Sequence, residues 1–248
     1  MADEPRTGRG EPSAQDTGTA AGKDALAGQL SEAARTLQQQ DDPDETLASI
    51  VRAAIALIPG ADEGSISAVV GRRSVRSHAP SSELPEIVDR LQDETQQGPC
   101  LDAVYEQQTV RVPDMRSEQR WPKFAERAAE AGAEAMLAFQ LYVEGDNLGA
   151  LNLYSRRPGT FDDESEHVGL LFASHAAIAY SAARRQSELV RAVGTREVIG
   201  QAQGILMERN RITADEAFGR LVRASQHRNL KLREVADHLV RTGELLEP

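Results

Sequence analysis

Leu47, Ile50, Val51, Ala54, Ile55 and Ile58 recur at the three- and four-residue spacing of one helical face, and Pro59-Gly60 breaks the pattern. Asp42 ahead of them suits an N-cap, Pro43 the first helical position and Glu45 the third, which predicts a helix start near residue 43. An earlier helix over 25–40 would place Leu26, Leu30, Ala33, Ala34 and Leu37 on one side. Past the break the period falls to two. Ile66, Ala68 and Val70 share a face, and 75–79 can return beside them after a turn at 71–74. Residues 84–94 and the stretch opening at Gly98-Pro99 suit short helices, 109–114 a brief strand, and 121–132 a helix stopped by Gly132. Leu137, Phe139, Leu141 and Val143 alternate with Ala138, Gln140 and Tyr142. After a turn at 144–147, Leu151 and Leu153 alternate with Ala150, Asn152 and Tyr154, completing an antiparallel hairpin.

From Asp162, a suitable cap, a helical pattern runs without proline to about residue 209. At ~1.5 Å per residue it would be roughly 70 Å long, more than one domain needs, so it is expected to join two domains, to dimerise, or both. Its apolar seam at Leu189, Ala192, Ile199 and Leu206 is interrupted by Arg196. Beyond it, Thr213 and Glu216 form a capping-box pattern ahead of Ala217, Phe218, Leu221, Val222 and Ala224, all expected in the core. A last helix carries Leu232, Val235, Ala236, Leu239 and Val240 and ends before Gly243.

Composition adds a division of charge. The 248 residues carry a net charge of −11, which argues against a protein that coats nucleic acid uniformly. Residues 184–248 nevertheless hold 12 Lys and Arg against 9 Asp and Glu, so the end of the chain is where a polyanion is tolerated. The single cysteine, Cys100, excludes an intramolecular disulfide and a two-cysteine redox cycle within one chain, and fits a reducing cytoplasm. The longest uncharged run, 168–183, has 16 residues against the ~20 of a membrane-spanning helix. Residues 1–24, rich in Gly, Pro, Thr and Asp, are expected to be a disordered tail.

Two stretches carry a resemblance. LGALNLYSRRPGTFDDESEHVGLLFASHAAIAYSAA at 148–183, with GPCLDAV at 98–104, resembles a GAF domain. REVIGQAQGILMERNRITADEAFGRLVRASQHRNLKLREVADHLV at 196–240 resembles an ANTAR domain, with Ala202, Gly204, Ile205, Leu206, Met207, Ala217, Phe218, Leu221, Ala224, Leu232, Val235 and Ala236 at the family's positions. The resemblance implies an α+β fold: a GAF sensory domain with an antiparallel sheet and flanking helices over 25–183 (core about 42–183), then a long linker helix and a small all-α three-helix ANTAR module over 184–248. It also implies a cytoplasmic, non-enzymatic antitermination regulator. In that reading the GAF domain senses a small-molecule or redox signal, and a homodimer binds tandem RNA stem-loops of leader transcripts.

The apolar ANTAR positions have a packing role, and Gly204 with Ala202 is expected to allow close helix approach. Candidates for RNA contact are the polar positions the core does not need: Arg209, Arg211, Arg220, Arg223, Ser225, Gln226, Arg228, Asn229, Lys231 and Arg233. Guanidinium groups hold phosphates, and amides and guanidinium planes read unstacked bases. Stacking on an aromatic is not expected, because Phe218, the only aromatic after Tyr180, is assigned to the core. For the sensory pocket the candidates are Cys100, Leu101, Phe139 and Tyr142.

No metal is expected, and the ligand is unknown. No bilin-attachment motif surrounds Cys100, and His78, His167 and His175 lack a heme-pocket pattern. The chain has no zinc spacing, P-loop, dinucleotide fingerprint or nucleophile elbow. The alternative is a GAF-linked helix-turn-helix DNA-binding regulator formed by the last two helices. Its recognition helix would then offer bases only Lys231 and Arg233 near its start.

Overall fold

The computed structural model describes residues 14–70, 74–105, 109–144 and 146–246. The chain divides into two compact units, residues 1–184 and 185–248.

In the first unit, helices α1 (Ala14–Gln38) and α2 (Pro43–Leu57) precede strands β1 (Glu63–Val70) and β2 (Ser74–His78). Then come α3 (Glu83–Thr95), α4 (Pro99–Tyr105), β3 (Thr109–Val112), a 3-10 turn (Met115–Ser117), α5 (Pro122–Glu130), β4 (Ala135–Val143) and β5 (Asp146–Ser155). The α2 cap is the expected one, with Asp42 accepting from the backbone N–H of Asp44 and Glu45. Of the expected tail, 14–24 instead form the first turns of α1 and 1–13 lie outside the described residues. Residues 14–24 contain no proline, the residue type that would bar a helix there.

The five strands form one antiparallel sheet in the order β2-β1-β5-β4-β3. The predicted hairpin is β4–β5, with Phe139 opposite Leu151 and a register shift between Leu141 and Tyr142. Strand alternation sends side chains to two cores. Ile66, Leu137, Phe139, Leu151 and Leu153 pack with α2 residues Leu47, Ile50 and Ala54 and with Val168, Phe172 and Ala176. On the other face Met136, Ala138, Ala150 and Tyr154 pack with Val88, Cys100, Phe124 and Ala128 of α3, α4 and α5.

Helix α6 (Asp163–Asn210) is the predicted long helix. Asp162 caps it by accepting from Ser165 N, and the buried Ser165 hydroxyl reaches Pro59 O at 3.0 Å. Its approach to the sheet is close at Gly169, where a Cβ would fall 2.1 Å from the Phe139 ring.

In the second unit the later turns of α6 pack with α7 (Ala214–Arg228) and α8 (Leu232–Thr242) around Ala202, Leu206, Ala217, Leu221, Ala224, Val235, Ala236 and Leu239. The Thr213–Glu216 capping box is present, and α8 ends at Gly243 in the left-handed conformation. Two expectations change here. Phe218 is 41% exposed, because the buried line of α7 is 217, 221 and 224 and the next residue is rotated away by about 100°; Val222 is only half-buried. Gly204 meets nothing within 4 Å of a built Cβ, so no helix packs closely there, whereas Ala202 is fully buried.

Candidate sensory site and candidate nucleic-acid interface

The four residues expected to line a sensory pocket do not converge. Cys100 is buried on the α3–α5 face and Leu101 is half-buried beside it. Phe139 faces the opposite core under α6, and Tyr142, past the register shift, is 53% exposed.

What converges around Cys100 is a buried polar cluster that the sequence reading missed. Asp89 of α3 is 1% exposed, and its Oδ1 accepts from Ser67 Oγ at 2.7 Å, Tyr154 OH at 3.2 Å, Asn152 Nδ2 at 3.3 Å and Gln92 Nε2 at 3.4 Å. Ser65 Oγ donates to Oδ2 at 2.8 Å. Asn152 Nδ2 also donates to Ser67 Oγ at 2.7 Å, and the Cys100 N–H donates to Gln92 Oε1 at 2.8 Å. Gly98 makes that last contact possible. At φ +141 its backbone suits glycine, and a Cβ there would strike the Gln92 side chain at 2.5 Å.

Burial pushes the Asp89 carboxyl above its ordinary range, while the hydroxyls of Ser77, Ser67, Ser65 and Tyr154 pull it back. The Ser77 hydroxyl thus faces the carboxylate, yet it falls outside hydrogen-bonding geometry: Ser77 Oγ and Asn152 Oδ1 are both buried without a hydrogen-bond partner. Burial, with the Asp89 charge adding to it, pushes the Cys100 thiol up to about 12, so it is held protonated. The same two causes raise Tyr154 well above its ordinary value.

A signal for this cluster exists in the sequence. Asp89 and Gln92 sit on the apolar stripe of α3 with Leu84, Val88 and Leu91, and Ser65 and Ser67 occupy alternate positions of β1. Polar residues at positions that periodicity assigns to a core mark a buried network.

In the second unit, Arg220, Arg223, Gln226 and His227 of α7 line a cavity of about 760 Å³ whose apolar part is Ala224, Leu245 and Leu246. His227, Leu245 and Leu246 were not among the sequence candidates. Arg211, in the left-handed conformation between α6 and α7, and Arg228, Lys231 and Arg233 about the α7–α8 turn are exposed. Three other candidates build the module. Arg209 donates to Gly243 O, Ser225 Oγ donates to Leu230 O at 2.6 Å, and Asn229 is the left-handed cap of α7.

Among the described residues no group of three or more His, Cys, Asp or Glu side chains is placed to hold a metal ion, and no helix is long and apolar enough to cross a membrane.

The antiparallel sheet, helix-covered on both faces, defines an α+β domain, followed by a compact helical unit. A GAF domain model matches residues 40–181, more than half of the chain, and an ANTAR domain model matches 187–240. The chain belongs to the GAF domain family and carries an ANTAR domain after its GAF domain; both are regulatory domains. No curated protein matches the chain. Among solved structures it is similar to the GAF domain of an Acinetobacter phosphoenolpyruvate-protein phosphotransferase, at 13% identity over 66% of this chain and 98% of that one, with a TM-score of 0.52. It is also similar to the corresponding Coxiella burnetii domain, at 16% identity over 66% and 96%, TM-score 0.51. A third similar structure is the free methionine-R-sulfoxide reductase of Neisseria meningitidis, at 17% identity over 63% and 88%, TM-score 0.51. At these identities the likeness is one of fold.

Proposed function

We propose that this chain is a cytoplasmic, non-enzymatic antitermination regulator. Its GAF domain senses a small-molecule signal, and its ANTAR modules, paired in a homodimer, hold tandem RNA stem-loops so that a terminator does not form. The observation that carries the reading is the α7 surface. Arg220, Arg223, Gln226 and His227 surround a cavity with an apolar floor, and Arg228, Lys231 and Arg233 continue the polar, basic surface at the next turn. Such a surface pairs phosphate-holding cations with groups that read an unstacked loop base. The exposed Phe218 ring adds a stacking surface.

Pairing has support in α6, where Leu171, Ile178, Leu189, Val190 and Val193 are exposed apolar side chains. The non-enzymatic reading rests on the GAF chemistry. The one cysteine is buried and protonated, and it has no second cysteine in the chain with which to complete a disulfide cycle.

The test is a mobility assay of the full chain against a tandem stem-loop RNA, a single stem-loop and duplex DNA at ~150 mM salt. The tandem RNA is expected to bind best, and Arg223→Ala and Lys231→Ala are each expected to weaken it roughly tenfold, with circular dichroism unchanged. Preference for duplex DNA would overturn the reading in favour of a DNA-binding regulator.

A further inference from the structure

The α7 cavity has a wall built from the chain beyond α8. After α8 the backbone turns at Gly243, left-handed at φ +76, and the Gly243 carbonyl accepts from Arg209 of α6. Thr242 Oγ1 accepts from the Glu244 N–H at 3.1 Å, so the turn is held from two sides. Leu245 and Leu246 then pack, half-buried, against the core of the second unit and with Ala224 form the apolar side of the cavity. Both leucines lie past residue 240, where the ANTAR match ends.

The rest of the lining is polar and, among the described residues, carries no carboxylate: it is Arg220, Arg223, Gln226 and His227. Arg220 and Arg223 are three residues apart on one face of α7, and neither forms an ion pair among the described residues. Two guanidinium groups without carboxylate partners suit a phosphate. A glutamine amide both donates and accepts, as does a neutral imidazole, which matches the mixed edge of a nucleobase and gives an acyl chain nothing to pair with. At about 760 Å³ the cavity falls within the ~300–1,000 Å³ of small-ligand sites.

We propose that this cavity is a binding site for one nucleoside monophosphate unit. The phosphate is held by Arg220 and Arg223, and the base lies against Leu245 and Leu246 with its edge toward Gln226 and His227. A free mononucleotide and a loop nucleotide of bound RNA share this chemistry, so free nucleotide competes with RNA for the module. The competition rests on the RNA reading above; the site itself does not.

The experiment is saturation-transfer NMR of the full chain with AMP, adenosine and inorganic phosphate at one ionic strength. AMP is expected to bind with a Kd on the order of millimolar, with saturation passing from leucine methyls to the base protons, and adenosine and phosphate to bind roughly tenfold more weakly. Leu246→Ala is expected to weaken AMP roughly fivefold, and Leu246→Met, which keeps an apolar wall, to restore it. Arg223→Ala is expected to remove the preference for AMP over adenosine, with circular dichroism unchanged in all three variants. AMP bound no better than adenosine or phosphate, or bound equally by wild type, Leu246→Ala and Arg223→Ala, would overturn the site. In a mobility assay, AMP is expected to weaken tandem stem-loop binding several-fold more than phosphate does at the same ionic strength, roughly as its occupancy of the site requires. AMP that binds while RNA affinity stays unchanged would uphold the site and overturn the competition. A chain that binds AMP but no RNA would uphold the site and overturn the antitermination reading.

Discussion

At the scale of single residues, position on the sheet decides what each side chain can do. Phe139 and Gln140 are neighbours on β4, yet the first is sealed under α6 and the second donates to Val104 O on the opposite face. Cys100 shows the same dependence. Its sequence context permits a reactive thiol, but full burial and the Asp89 charge hold it protonated up to about pH 12. At pH ~8 its alkylation by iodoacetamide is therefore expected to be slower in the native chain than in urea by roughly a thousandfold or more, followed by mass spectrometry. Comparable rates in the two states would mean that the α4 start opens readily. Asp89 was legible only as a polar residue on an apolar stripe; that five donors meet it depends on β1 and β5, more than twenty and sixty residues away.

At the scale of elements, α6 contains glycines with opposite surroundings. A side chain at Gly169 collides with the Phe139 ring, and one at Gly204 meets nothing within 4 Å. Gly169→Ala is expected to destabilise the first unit by about 1–3 kcal/mol through overpacking. Gly204→Ala is expected to stabilise the second by about 0.5–1 kcal/mol, because alanine has the better helix propensity and no contact opposes it. Urea unfolding of both variants checks the pair. A Gly204→Ala chain that gains stability but loses RNA binding would place a partner against that face. Helix boundaries were legible wherever capping chemistry is local, as at Asp42, Asp162 and Thr213. Burial within a helix was less so: Phe218 fits an apolar period one residue off the line that α7 actually buries.

At the scale of the whole chain, the two units have separate cores, one pair on the faces of the sheet and one among the last helices. Calorimetry of the full chain is expected to resolve two unfolding transitions, and Gly169→Ala should move only one of them. A single transition that shifts as a unit would show that the continuous α6 couples the cores. The order of elements, the β4–β5 hairpin, the long helix and the capped helical unit were all determined by the sequence, because periodicity, caps and turns act within a few residues. The family resemblance was legible for the same reason, since its motifs are local. Tertiary structure alone decided the sheet order, which strand face meets which helices, and the gathering of Asp89, Ser65, Ser67, Asn152 and Cys100 into one buried cluster. These depend on pairings between distant segments, where the free energy of burial, rather than local propensity, selects the partner.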